Sequence, residues 1–282
     1  VVFAPVEIEP TAGDHPVMVR CRAEAEGLTP NEWRLWAFPR RHQTPDGVFR
    51  DDTVAYTDEE RAPEFPEKRY SDGWALECAS WKPRLPDLDS LLPGTRHWRD
   101  AENTPRVDHL TIVTTRLTEH MLLHLEHGGR VVLLASKAAG SPPAKWVNLY
   151  GQIPLLIEQG DRTPNAMLGE GESAWLLDTL GLDLNRWSCR AVPSHSLEIA
   201  DAVEPIVRLV FTHDKGRPEV WDQVFTARVG EGLLAVSTLD HDSPAGRYLL
   251  HRLVEHVHRG EAPSLERGKL DIEVVRGWSC PG

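Results

Sequence analysis

Apolar and polar residues alternate along HPVMVRCRAEA and again along EWRLWAFPR, as they do in strands with one face covered and the other wet. GLTPN between them reads as a turn. The pair predicts an antiparallel hairpin with Trp33, Leu35 and Ala37 on one face and Arg34, Trp36 and Phe38 on the other. A hairpin alone cannot bury a sandwich core, so residues 1–56 read as the end of a larger antiparallel β-sandwich, or as a piece leaning on the next domain. From 57 to 106 the periodicity dissolves. TDEERAPEFPEKRYSDG is polar and proline-bearing, WKPRLPDLDSLLPG adds three prolines, and only WALECAS (74–80) suggests a strand. This stretch is expected to be a connector packed on a domain surface, since so long a structureless loop is unusual inside a compact domain.

A second pattern begins near Val107. VDHLTIVT predicts a strand, Thr118 stands where it can cap the next helix, and Met121, Leu122 and Leu125 form that helix's apolar stripe. Gly128-Gly129 ends the helix, because glycine enters the left-handed region at little cost. RVVLLAS is then apolar throughout, as a strand covered on both faces is. Strand, helix and strand within 30 residues predict a βαβ crossover with parallel strands. SPPAKWVNLYGQIP reads as a long loop and GESAWLLDTLG as a short helix. EPIVRLVFTHD is a strand, EVWDQVFTARVGEGLLAVSTLDHD a hairpin turning at Gly230-Glu231-Gly232, and SPAGRYLLHRLVEHVHRG a closing helix with Pro244 near its start and Gly260 at its end. The order predicts an α/β domain over 107–260, with helices on both faces of a mixed sheet, flavodoxin-like in outline, and a tail over 261–282.

Composition narrows the partners. The 282 residues carry 43 acidic against 31 basic side chains, a net charge of −12, so phosphate neutralisation has little to work with and nucleic acid is not expected as a partner. No apolar run reaches the roughly 20 residues that span a bilayer, so no membrane partner is expected. VVFAPVEIEP shows no basic region followed by an apolar core, so no signal peptide is visible. Cys21, Cys78, Cys189 and Cys280 lie far apart without a CxxC, and free or buried thiols are expected. The ten tryptophans either stack on sugar rings or fill seams between domains.

Each candidate chemistry has a plain alternative. The junction TTRLTEH holds no glycine, so the βαβ unit lacks the phosphate cradle of a dinucleotide site, and no cofactor is expected. Ser136 follows a strand in LLASKAAG, yet no glycines bracket it as a nucleophile elbow requires. His120 and His124 are four apart, with His127 beyond. No Glu follows His120 as HExxH demands, and the three equally form a helix's polar face, so no metal is expected. His213-Asp214 and His241-Asp242, with Asp240 beside the latter, each follow a strand. They are candidates for the sheet's carboxyl edge, where open α/β sheets bind ligands, or else they cap loops. A glycosidase needs two carboxylates at fixed separation, and no such pair stands out; Asn31-Glu32 opens a hairpin strand.

At NEWRLWAFP the hairpin resembles the end of an immunoglobulin-like domain in glycoside hydrolases of family 2. LTEHMLLHLEHGGRVVLLAS and EPIVRLVFTHDKGRPEVWDQVFTARVGEGLLAVSTLDHDSPAGRYLLHRLVEHV resemble the flavodoxin-like or class I glutaminase-like module that follows it in such enzymes. The similarity covers 31–39, 108–136 and 204–257, while 137–200 departs from it. In that family the catalytic glutamates sit on a (β/α)8 barrel, so the resemblance carries over no catalytic residue. It implies a non-catalytic accessory part whose partner is a catalytic barrel domain or subunit. Two alternatives stand beside it. One is a stand-alone module binding oligo- or polysaccharide through Trp146, Asn148, His213, Asp240 and Asp242. The other is a glutaminase-like or serine hydrolase using Ser136.

Overall fold

The computed structural model of the chain describes residues 13–24, 26–27, 29–42, 53–56, 87–93, 95–97, 110–135, 144–145, 152–155, 175–176, 188–189, 203–211, 219–260 and 269–279. In chain order they form β1 (Val17–Ala23), β2 (Asn31–Ala37), a 3-10 turn (Arg40–His42), β3 (Thr53–Tyr56), α1 (Leu88–Leu91), β4 (Arg96–His97), β5 (Thr111–Thr114), α2 (Glu119–Glu126) and β6 (Arg130–Leu134). Then come β7 (Ala144–Lys145), β8 (Gln152–Leu155), β9 (Ser188–Cys189), β10 (Glu204–Phe211), β11 (Glu219–Val229), β12 (Gly232–Ser237), α3 (Pro244–Arg259), β13 (Lys269–Leu270) and α4 (Ile272–Ser279).

The fold is α/β around one mixed sheet. Its main path runs β4-β3-β5-β6-β12-β11-β10-β8. The first five strands are parallel, and β11, β10 and β8 each pair antiparallel to the preceding strand. β13 joins β11 in parallel, and β9 joins it antiparallel. The apolar run of β6 has the expected cause: Val131 to Leu134 are all buried, with alternate residues facing two separate cores. Val132 and Leu134 pack with Val113 of β5, Ala235 of β12 and the inner face of α3; Leu88 and Leu91 of α1 share this core. Val131 and Leu133 pack with Met121, Leu122 and Leu125 of α2 and with Val275 and Trp278 of α4.

Both ends of the long helix α3 are chemically specified. Ser243 is the N-cap and its Oγ accepts the Gly246 N–H (3.1 Å), Pro244 opens the first turn, and Gly260 closes the helix at φ 65°. Ser243→Ala is expected to cost about 1 kcal/mol in urea unfolding, since it removes that acceptor. A loss below a few tenths would mean that water replaces the cap. At α2 the sequence expectation is only half met: Thr118 holds the N-cap position, but its side chain makes no capping hydrogen bond. The glycine doublet does close the helix. Gly129 N donates to His124 O (2.8 Å) and Gly128 N to Leu125 O (3.2 Å), with Gly128 at φ 88°.

β1 and β2 form the expected antiparallel hairpin, in a two-stranded sheet of their own, with Cys21 opposite Trp33 and Val19 opposite Leu35. Trp33 and Leu35 are 47% and 38% exposed, whereas Trp36, on the other face, packs against the α3 core, with Phe38 buried in it. Cys21 is a free thiol.

The α/β sheet also reaches outside the span read for it. β3 lies within the expected sandwich piece and β4 within the expected connector, yet β3 lies between β4 and β5 in the parallel sheet. In the expected tail, β13 pairs with β11, and α4 packs on α2. There Arg276 meets Glu119 (3.3 Å), Glu126 (3.6 Å) and Glu273. Strands of two to four residues carry too few positions for a period to register. Residues 74–80 lie outside the described residues.

Candidate functional site

Open α/β sheets place their chemistry beyond the carboxyl ends of the parallel strands. Five such ends lie along this edge: His97 of β4, Tyr56 of β3, Thr114 of β5, Ala135 after β6 and the Ser237–Asp242 turn after β12. β10 runs the same way as β12, since both pair antiparallel to β11, and so ends toward the same edge.

The β12 turn is built around His241. Its ring is 2% exposed, and Ser237 is 1% exposed. Nδ1 lies 2.8 Å from the Gly246 carbonyl oxygen, which can only accept, so Nδ1 carries the proton. Nε2 is then left with a lone pair, and it accepts the Ser237 hydroxyl proton across 2.9 Å. Ser237 Oγ in turn accepts the Leu239 N–H (3.3 Å). Burial holds the imidazole below its ordinary pKa of 6.5, and the nearby Asp240 and Asp242 only partly oppose this, so the ring is neutral. Gly246 allows the close approach: a Cβ there would collide with the Asp240 carbonyl oxygen.

This serine–histidine pair has the polarity of a nucleophile and its base, but both groups are sealed from solvent. In this state its work is mechanical, tying the end of β12 to the first turn of α3. Asp240 Oδ1 accepts the Asp242 N–H (3.0 Å), and Thr238 Oγ1 and N both donate to the Gln223 carbonyl (3.2 and 2.9 Å). The β5 end is closed likewise. Thr114 Oγ1 donates to the Arg116 carbonyl (2.7 Å) and accepts the Arg116 N–H (3.2 Å).

Of the residues named from sequence, Asp240 and Asp242 lie together in the β12 turn, Asp240 half-buried and Asp242 exposed. Trp146, Asn148, His213 and Ser136 lie outside the described residues. On α2, His124 Nε2 donates to the Leu110 carbonyl (2.9 Å) and His127 Nδ1 to the Leu123 carbonyl (2.7 Å), while His120 is exposed. Among the described residues no group of three His, Cys, Asp or Glu side chains could hold a metal ion, and no helix is long and apolar enough to cross a membrane. The sequence places His241 at this edge beside Asp240 and Asp242, but not its pairing with Ser237. The signal was a serine ending an apolar strand four residues before a histidine, just ahead of the helix-opening SPAG.

Compared with known proteins, the chain matches no family model and no curated protein sequence.

Proposed function

We propose that the chain is a non-catalytic accessory part of a family 2-like glycoside hydrolase, packing against a catalytic barrel domain or subunit. The observation that carries this reading is how the carboxyl edge uses its polar groups. At β5 and β12 the Thr114, Ser237, Thr238, Asp240 and His241 side chains are engaged in hydrogen bonds within the edge, to the neighbouring strand and to the first turn of α3. Polar groups so engaged at β5 and β12 support a scaffold role for these two strand ends.

The strand order supports the flavodoxin-like part of the proposal. Numbered by appearance in the chain, the five parallel strands run 2-1-3-4-5, the order of flavodoxin-type doubly wound sheets. α1 and α3 lie on one face, with α2 on the other. The antiparallel hairpin before it supports the immunoglobulin-like part.

Incubating the purified chain with a panel of aryl glycosides is expected to release no aglycone above blank. Robust hydrolysis that co-purifies with the folded chain would overturn the accessory reading.

A further inference from the structure

We propose that His42 and His251 form an acid-sensitive latch, which holds the segment after the hairpin (residues 38–42) to α3 near neutrality and releases it in acid. The two imidazoles come from segments more than two hundred residues apart and meet with ring centroids 4.4 Å apart at 61°. They are only 5% and 7% exposed, and Tyr248 lies edge-on to His42 (5.1 Å).

The hydrogen bonding permits only the neutral form of His42. Its Nε2 accepts the Arg41 Nε–H (3.1 Å), which places the ring's own proton on Nδ1. Nδ1 is buried and meets no hydrogen-bond partner among the described residues. An acid proton has to enter at Nε2, where it turns an acceptor into a donor facing a guanidinium. The charged groups around the pair are mostly cations: Arg41 and Arg252 face His42, and Arg41 and Arg247 face His251. Asp14 opposes them weakly, since it is itself paired with Arg41 (3.2 Å). Arg252 is shared with Glu255 (3.2 Å). Two imidazolium rings at this separation would repel each other as well.

Burial first, then Arg41 and Arg252, lowers His42 from 6.5 to about 4; burial first, then His42, Arg41 and Arg247, lowers His251 from 6.5 to about 3. The sign follows directly. Above 6.5 the rings are neutral whether docked or released, and the latch is at full strength. As pH falls from 6.5 toward 4, released rings take up protons that docked rings refuse, so docking is progressively lost.

Hydrogen exchange of the intact chain at pH 7 and pH 5, corrected for intrinsic rates, tests this. Peptides covering 31–42 are expected to exchange at least about tenfold faster at pH 5, with β6 and β12 still protected. Unchanged protection over 31–42, or equal loss in β6 and β12, would overturn the latch. The double variant His42→Gln, His251→Asn removes both titrating rings and is expected to abolish the pH response; a response persisting in that variant, folded by circular dichroism, would also overturn it. If the variant does not fold, wild-type ring titrations by NMR decide. Midpoints well below 6.5 that track the opening support the latch, and midpoints near 6.5 refute it.

Discussion

Gly232→Ala is expected to cost about 3 kcal/mol of folding stability or more, while Gly277→Ala should add about 0.5–1 kcal/mol. The contrast comes from what a methyl group would meet. At Gly232 it would lie 2.5 Å from both the Gly129 and Leu125 carbonyl oxygens and 2.8 Å from Leu125 Cα, all of them main chain. The neighbouring Gly230, at φ 59°, would press a Cβ to 2.8 Å from Glu126 Cα. Thus the β11–β12 turn sits directly on the closing loop of α2, with the Leu233 N–H bonded to the Gly129 carbonyl (3.0 Å). No rotamer change relieves such a clash; the backbone has to move. Gly277 is exposed in α4 with nothing within 4 Å of a Cβ, so alanine there only restricts the unfolded chain and improves helix propensity. Urea denaturation of both variants checks the pair, and equal effects of one sign would refute the packing argument.

Tyr248→Ala should be comparably damaging, at about 4 kcal/mol, because it empties the centre of an aromatic cluster. Tyr248 is fully buried on α3, and its ring meets Trp175 (centroids 5.3 Å), Phe38 (5.8 Å) and His42 (5.1 Å). Phe38 and Trp175 in turn meet edge to face at 5.4 Å. These four rings join the hairpin's exit, residue 175 and α3, so truncating the middle one loosens three segments together. Urea unfolding followed by circular dichroism reads the loss, and a shift under about 1 kcal/mol would mean that the neighbours collapse into the space.

Where the sequence has a strong period, the structure follows it. The hairpin, α2 with its glycine stop, β6, the β10–β12 strands and α3 were all legible, since each has enough residues for apolar spacing to repeat. β3, β4, β13, the four-residue α1, and β7 and β8 in the stretch expected to be a loop (SPPAKWVNLYGQIP) were not, because so short an element is defined by what it pairs with or packs on. α4 hid for another reason: IEVVRGWS carries a glycine near its end, and its buried Val275 and Trp278 show their purpose only against α2. At the carboxyl edge the sequence singled out Asp240 and Asp242 by position after a strand. It left undecided which way His241 between them would turn. That choice is made by the Gly246 carbonyl and the Ser237 hydroxyl, groups that reach the ring only once the turn has closed. The tryptophans divide similarly: Trp36 and Trp175 fill seams, while Trp33 faces water.

The long strand β11 sets how the sheet can come apart. It is paired with β10 from Glu219 to Thr226 and with β12 from Val224 to Val229, so that Val224, Phe225 and Thr226 stand in both ladders. Neither the parallel nor the antiparallel side can peel away without stripping a backbone they hold in common. The two sides should therefore melt in one concerted event.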